Sequence, residues 1–261
     1  RIIFIFLRFR LNEIFPKEIL PFWLKIVFFL SPFNLIPTNK KLGIRLAEAL
    51  ETAGPIFVKF GQLLSTRPDF LDEDVIQELQ KFQNNLKPFP SEEAIKIIEK
   101  DLGHPINELF AEFNESPLAA ASIAQVHEAT LKSGENVVVK VVRPNLDKKI
   151  KDDVSILKMI GKVANTFDAD ARRLQLLEMI REYEYVITSE VDLKKEAGNT
   201  IQTAKFFEDS NLLYVPKVYL EYSSNKTLTL EKIEGIPVTD LKVLEDKKVD
   251  LKKLSERGVS I

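Results

Sequence analysis

From Val137 to Val142 the chain reads Val-Val-Val-Lys-Val-Val, five β-branched residues around the single lysine Lys140. β-branched side chains are stiff at χ1 and favour extended backbone, so this stretch reads as a strand. Apolar residues at both parities imply burial on both faces. A lone ammonium is costly to bury. Lys140 therefore needs a carboxylate or an anionic ligand, unless the strand is an edge and the side chain reaches water.

A second β-branched run, Ile123 to Leu131, precedes the first, which extends from Asn136 to Arg143. Lys132-Ser133-Gly134-Glu135 joins them, so the pair reads as a hairpin with a Ser-Gly turn. Helical spacing dominates the preceding 110 residues. Leu42 to Ala53 ends at Gly54-Pro55. Ile56 to Ser65 stops before Pro68, Asp72 to Gln83 opens on acidic residues, and Ser91 is placed to N-cap Glu92 to Leu102, with Gly103 as the stop. After the hairpin, Leu146 to Phe167 and Arg172 to Phe207 are helical. Leu213 to Tyr219 and Thr227 to Ile233 read as strands, and two short helical stretches follow Gly235-Ile236-Pro237. The order predicts an α+β fold.

Three further stretches carry candidate chemistry. Ala119-Ala120-Ala121-Ser122 is a small-residue loop before the hairpin. A lysine on the second strand of a hairpin after such a loop is how kinase folds hold nucleotide phosphates. Alone, the tetrapeptide is a weak signal and is more often a tight turn or packing point. In Lys59-Phe60-Gly61-Gln62, Lys59 and Gln62 are three apart and share a helix face. Gly61 costs about 1 kcal/mol against Ala there, which suggests a close neighbour. Glu190-Val191-Asp192-Leu193-Lys194-Lys195-Glu196 holds three carboxylates. On one helix Asp192 and Glu196 would stack, while Glu190 would point about 200° away from Asp192. Either a helix begins near Thr188-Ser189, or the carboxylates serve different partners, or the run is a solvated acidic face.

Composition narrows the classes. The absence of cysteine excludes disulfides and thiolate metal sites, and two histidines, His104 and His127, exclude a multi-histidine centre. No metal-ligand set is assigned within the chain. Residues 1–41 carry a net +5 and the remainder −7. The head also holds Phe4, Phe6, Phe9, Phe15, Phe22, Trp23, Phe28, Phe29 and Phe33. Its longest uncharged run, Ile26 to Asn39, is 14 residues and contains two prolines, against about 20 apolar residues for a bilayer span. A basic, aromatic segment of this kind suits a membrane surface; the other reading is a helix pair docked on the protein's own body. Modest charge without a recognised motif argues against nucleic acid. The chain opens on Arg1 and stops within a helical pattern, so it is expected to be part of a longer protein.

Together, Gly54 through Arg67 (GPIFVKFGQLLSTR), Ala119 through His127 (AAASIAQVH), Val137 through Pro144, and Glu190 through Ala197 (EVDLKKEA) resemble the UbiB family of atypical kinases tied to ubiquinone biosynthesis, most closely its bacterial members. The resemblance implies a protein-kinase-like N-lobe with a small antiparallel sheet, preceded by a helical extension carrying a KxGQ motif. Expected segments are a membrane-facing head (1–41), the helical extension (42–110), the N-lobe with inserted helices and an ExD motif (111–235), and the start of a C-lobe (236–261). It implies that Lys140 contacts nucleotide phosphates, with Glu196 as its ion-pair partner. Lys59 would pair with Glu190 or Asp192, with Gln62 on the same helix. Ala119, Ala120, Ala121 and Ser122 would replace the usual glycine-rich loop, and a hinge including Glu231 and Ile233 would meet the adenine. ATP and Mg²⁺ are the implied cofactors. No H-x-D or D-F-G occurs, so the metal ligands are expected beyond Ile261 and the fragment itself is expected to be inactive. Implied partners are a membrane surface, with location at the cytoplasmic face of the bacterial inner membrane, an isoprenoid lipid and quinone-biosynthesis proteins. The alternative is a non-catalytic module that handles a polyprenyl lipid or scaffolds a biosynthetic complex.

Overall fold

The computed structural model describes residues 1–11, 26, 32–35, 38–69, 71–81, 88–167 and 172–261. Most of the aromatic head (Phe15, Phe22, Trp23, Phe28, Phe29) and Gln83 lie outside these residues. The chain forms two compact units. One comprises residues 1–87, 121–123 and 145–189; the other comprises 88–120, 124–144 and 190–261. This grouping differs from the expected segments: the helix at residues 91–102 belongs with the sheet, and the two helices after the hairpin belong with the helical unit.

The first unit is helical. α1 (Ile2–Arg8) leads to α2 (Leu42–Ala53), α3 (Pro55–Ser65) and α4 (Glu73–Gln80). As expected, Gly54 ends α2 at φ 120°, and Pro55 opens α3 where its missing N–H costs nothing. The described start of the head docks on this unit. Ile5 and Leu11 are buried, the Arg45 guanidinium donates to the Arg10 carbonyl at 3.1 Å, and Arg1 donates to the Ala53 carbonyl. α7 (Leu146–Phe167) and α8 (Leu176–Glu190) complete the unit. The Tyr183 hydroxyl of α8 donates to the Ile56 carbonyl at 2.5 Å, and its ring meets Phe60 edge-on. Gly61 is buried on α3.

In the second unit, α5 (Ser91–Leu102) and the single turn α6 (Ile106–Leu109) lead into β1 (Phe110–Phe113) and β2 (Ala119–Ala120). The hairpin β3 (Ala124–Leu131) and β4 (Asn136–Val142) follows. α9 (Leu193–Phe206), β5 (Thr227–Glu231), α10 (Leu241–Asp246) and α11 (Leu251–Ser260) come next. The sheet is antiparallel in the order β1-β3-β4-β5, and β2 continues the β1 side of β3. Gly134, at φ 97°, makes the hairpin turn, with its N–H on the Leu131 carbonyl. The fold is thus α+β with a small antiparallel sheet, as a kinase-like N-lobe requires.

Several local expectations are corrected. β1 and β2 were not foreseen. Ser91 does not cap α5, because its hydroxyl donates to the Glu115 carbonyl and Pro90 stands at the cap position. Residues 213–219 form no full strand. Pro216 has no N–H to give a ladder, and the segment keeps one bridge, Val218 to Leu230. The helical run over 172–207 breaks between Glu190 and Leu193. β4 buries one face fully and the other only at its end: Val137, Val139 and Val141 are wholly buried against Ala94 and Ile98 of α5, whereas on the other face Val138 and Lys140 are partly exposed and Val142 is buried. An antiparallel sheet needs cover on one side alone.

Two glycines test this packing. A Cβ on Gly43 would sit 3.0 Å from the Asp74 carbonyl oxygen and 3.0 Å from the Val75 Cα, whereas one on Gly198 of α9 meets nothing within 4 Å. Gly43→Ala is expected to destabilise the chain by about 1–3 kcal/mol. Gly198→Ala is expected to stabilise it by up to ~1 kcal/mol through helix propensity. Denaturant unfolding of both variants checks the pair.

Candidate functional site

Lys140 stands on a central strand, between β3 and β5, so it is not an edge lysine reaching water. Cross-strand register places Ala119, Val126, Lys140 and Leu228 in one row, and Val138 and Leu230 follow on the same face. Val126, Val138, Lys140 and Leu230 are partly exposed on this face, whereas Leu228 is fully buried, so the face is apolar and partly open around one cation. The Lys140 Nζ donates to both carboxylate oxygens of Glu196, each at 2.7 Å.

α9 delivers Glu196. The Asp192 carboxylate caps the helix by accepting from the Lys194 N–H at 3.2 Å. The Leu193 N–H donates to the Asn225 carbonyl at 3.0 Å, which ties the helix start to the residues before β5. Leu193 and Ala197, four apart, are buried and turn this side of the helix inward. The three carboxylates therefore do not share a helix: Glu190 ends α8, Asp192 caps α9, and Glu196 lies in its first turn. The suggested cap at Thr188-Ser189 is not used, because α8 runs through it.

Lys59 and Gln62 do share a face. They line a groove of about 280 Å³ between α3 and α8, with Leu63, Arg67, Met179, Glu182, Tyr183 and Val186. Ala119 and Ala120 are strand residues, paired with Val126 and Gln125, rather than loop; Ala121 and Ser122 begin the connection to β3. The Glu231 carboxylate lies on the face of Val137, away from Lys140. It accepts from the Tyr214 hydroxyl at 2.7 Å and the Lys217 N–H at 3.1 Å. The Lys217 N–H first, then the Tyr214 hydroxyl, hold it below the usual carboxylate range. The side chain is thus committed elsewhere, and the Glu231 and Lys232 N–H groups donate to the Lys217 and Asn136 carbonyls at 2.9 and 3.1 Å. Asp240 and Asp250 serve as N-caps of α10 and α11. Among the described residues no three histidine or acidic side chains gather as metal ligands.

A buried polar chain had no counterpart in the sequence reading. The Phe89 N–H donates to the Gln125 Oε1 at 3.0 Å. Gln125 Nε2 and His127 Nε2 are 2.8 Å apart, and His127 Nδ1 is 2.9 Å from the Asn114 carbonyl. That carbonyl can only accept, so Nδ1 carries the proton and Nε2 accepts from the Gln125 amide. Gln125 and His127 are fully buried, and the imidazole stacks on Phe113.

The comparisons agree with this geometry. A model described as the ABC1 atypical kinase-like domain matches residues 81–261, and the chain belongs to that family. Among relatives, proteins named "Probable protein kinase UbiB" from Pseudomonas aeruginosa are 47% identical over 259 residues, covering 98% of this chain and 49% of theirs. Those from Marinobacter nauticus and Azotobacter vinelandii are 44% identical, over 262 and 265 residues, covering all of this chain and 48% and 49% of theirs. The chain is thus a UbiB-family fragment that spans about half the length of the curated relatives it matches. The Mycobacterium tuberculosis protein Rv3197, solved with erythromycin, aligns with a TM-score of 0.51 at 24% identity over 84% of this chain and 50% of its own. That likeness concerns the fold.

Burial lowers the His127 pKa, against a smaller opposing effect of the Asn114 carbonyl. The unfolded chain therefore binds the proton more readily than the folded one. The histidine's contribution is fully present above about pH 6.5 and is lost as pH falls through the lowered folded value. Denaturation midpoints should drop on mild acidification, and less steeply in His127→Phe, which keeps the stacked ring but cannot titrate.

Proposed function

We propose that this chain forms the nucleotide-facing half of an atypical kinase or ATPase of the UbiB type, which supports ubiquinone biosynthesis at a membrane. The observation that carries the reading is the Lys140–Glu196 pair on the partly open apolar face of a central strand. Val126, Val138 and Leu230, partly exposed around Lys140 over the buried Leu228, offer an apolar surface for an adenine ring. The Lys140 ammonium is a point charge for phosphate oxygens. Glu196 orients that ammonium, and Ala119 and Ala120 present backbone at the row's end. When bound, Mg²⁺ would neutralise phosphate charge, and its ligands belong to the part of the relatives' length that this chain does not span.

Lys59, with Gln62 beside it on α3, pairs with Glu190 or Asp192 in this reading, where ordinary kinases take a protein substrate. This favours ATP hydrolysis or small-molecule phosphorylation. The basic, aromatic head brings the protein to the cytoplasmic face of the bacterial inner membrane, within reach of an isoprenoid lipid and quinone-biosynthesis proteins. No helix among the described residues is long and apolar enough to cross a membrane.

Nucleotide binding by the full-length protein tests the reading. Lys140→Ala is expected to weaken ATP affinity about 10- to 100-fold, since hydrogen bonds to charged groups are the strong ones. Stability should change by no more than about 1 kcal/mol, because the pair is partly exposed. The 261-residue chain alone should show no ATP turnover. Unchanged affinity in Lys140→Ala would overturn the nucleotide assignment, and steady Mg-dependent turnover by the chain alone would overturn the placing of the metal ligands outside it.

A further inference from the structure

We propose that Gln125 and His127 are positioning residues for the nucleotide site, acting through β2 and Val126; this rests on the nucleotide-binding reading above. Strand alternation puts Gln125 and His127 on the core face of β3 and Val126, between them, on the face of Lys140. Fixing the two polar residues therefore fixes Val126 from behind.

β2 needs such support. It is two alanines long, so it has almost no side chain with which to pack, and it ends the row that includes Val126 and Lys140. Its approach, Asn114 to Leu118, is tied down where it leaves β1. The Asn114 carbonyl accepts from His127 at 2.9 Å, the Asn114 N–H reaches the Glu128 carbonyl at 2.9 Å, and the Glu115 carbonyl accepts from Ser91. Gln125 carries the chain onward to the Phe89 N–H, next to the start of α5. The polar chain thus joins β3, the β1–β2 connection and the α5 entry. Buried polar groups cost stability unless each is satisfied, and apolar residues would fill this space more simply. What the chain supplies beyond filling is fixed donor-to-acceptor geometry, which sets where Ala119 and Ala120 lie against Val126.

The test uses the full-length protein with three variants. His127→Phe keeps the stack on Phe113 but deletes both hydrogen bonds. His127→Asn retains an amide donor for the Asn114 carbonyl. Gln125→Met keeps the volume and removes the link. His127→Phe and Gln125→Met are expected to weaken ATP affinity about two- to tenfold, the loss of one ordinary hydrogen bond's net worth. Both should also speed amide hydrogen exchange at Ala119 and Ala120, while His127→Asn restores much of each. Folded His127→Phe that binds ATP as the parent does, with unchanged exchange at those amides, overturns the proposal. Should His127→Phe fail to fold, Gln125→Met decides by the same two readouts. A parent protein that binds no ATP removes the nucleotide reading instead, and the exchange data then decide whether the chain positions β2.

Discussion

One lysine and one glutamate, 56 residues apart in sequence, share two hydrogen bonds of 2.7 Å, and much of the sheet unit is arranged around that meeting. The pair does not hold the fold together. Its side chains are 26% and 39% exposed, and ion pairs this open contribute about 0–1 kcal/mol. Burying one Val or Ile contributes roughly 1.5–3 kcal/mol. Val137, Val139 and Val141 with Ala94, Ile98, Leu109, Phe110, Ala129 and Leu131 outweigh the pair several-fold. The α5 side of the sheet supplies most of the stability, and the opposite side, where Leu228 and Val142 are also buried, leaves Lys140 partly exposed.

α5 links the two halves of the pair. At its entry, the Phe89 N–H is held by Gln125 of β3, the strand that pairs with Lys140's own. At its end, the Asp101 carboxylate accepts from the Lys226 N–H at 3.0 Å, and the neighbouring Asn225 carbonyl receives the first N–H of α9. The helix therefore spans from the strand beside the lysine to the loop that anchors the glutamate. Its buried face is built from small or branched residues, Ala94 and Ile98, which permit close approach to the sheet.

Much of this was legible in the residues. The hairpin showed because β-branched runs with a Ser-Gly turn allow little else, and α2 and α5 ended where Gly54 and Gly103 said they would. The Lys140–Glu196 pair followed from the family resemblance and from the cost of a lone charge. β1 stayed hidden because it follows a helical turn without punctuation and carries a bulge; β2 stayed hidden because alanine favours helix over strand. Glu190 to Glu196 read as one helix because it has neither Gly nor Pro, and only the Asp192 cap marks the break. Gln125 and His127 were missed for a different reason. In Gln-Val-His the polar residues face the core and the valine faces outward, the reverse of the pattern by which strands are oriented.

Asp192 has two attachments to the site. It is one of the three carboxylates, and its side chain also closes the first turn of α9, from which Glu196 reaches Lys140. An N-cap is worth about 1 kcal/mol, so its removal shifts the balance between wound and frayed first turns several-fold. A defect in an Asp192→Ala protein would therefore combine a lost charge with a displaced glutamate. Asp192→Asn or Asp192→Ser, which can still cap, separates the two contributions, and the difference between these variants and alanine measures how far Glu196 depends on the turn that carries it.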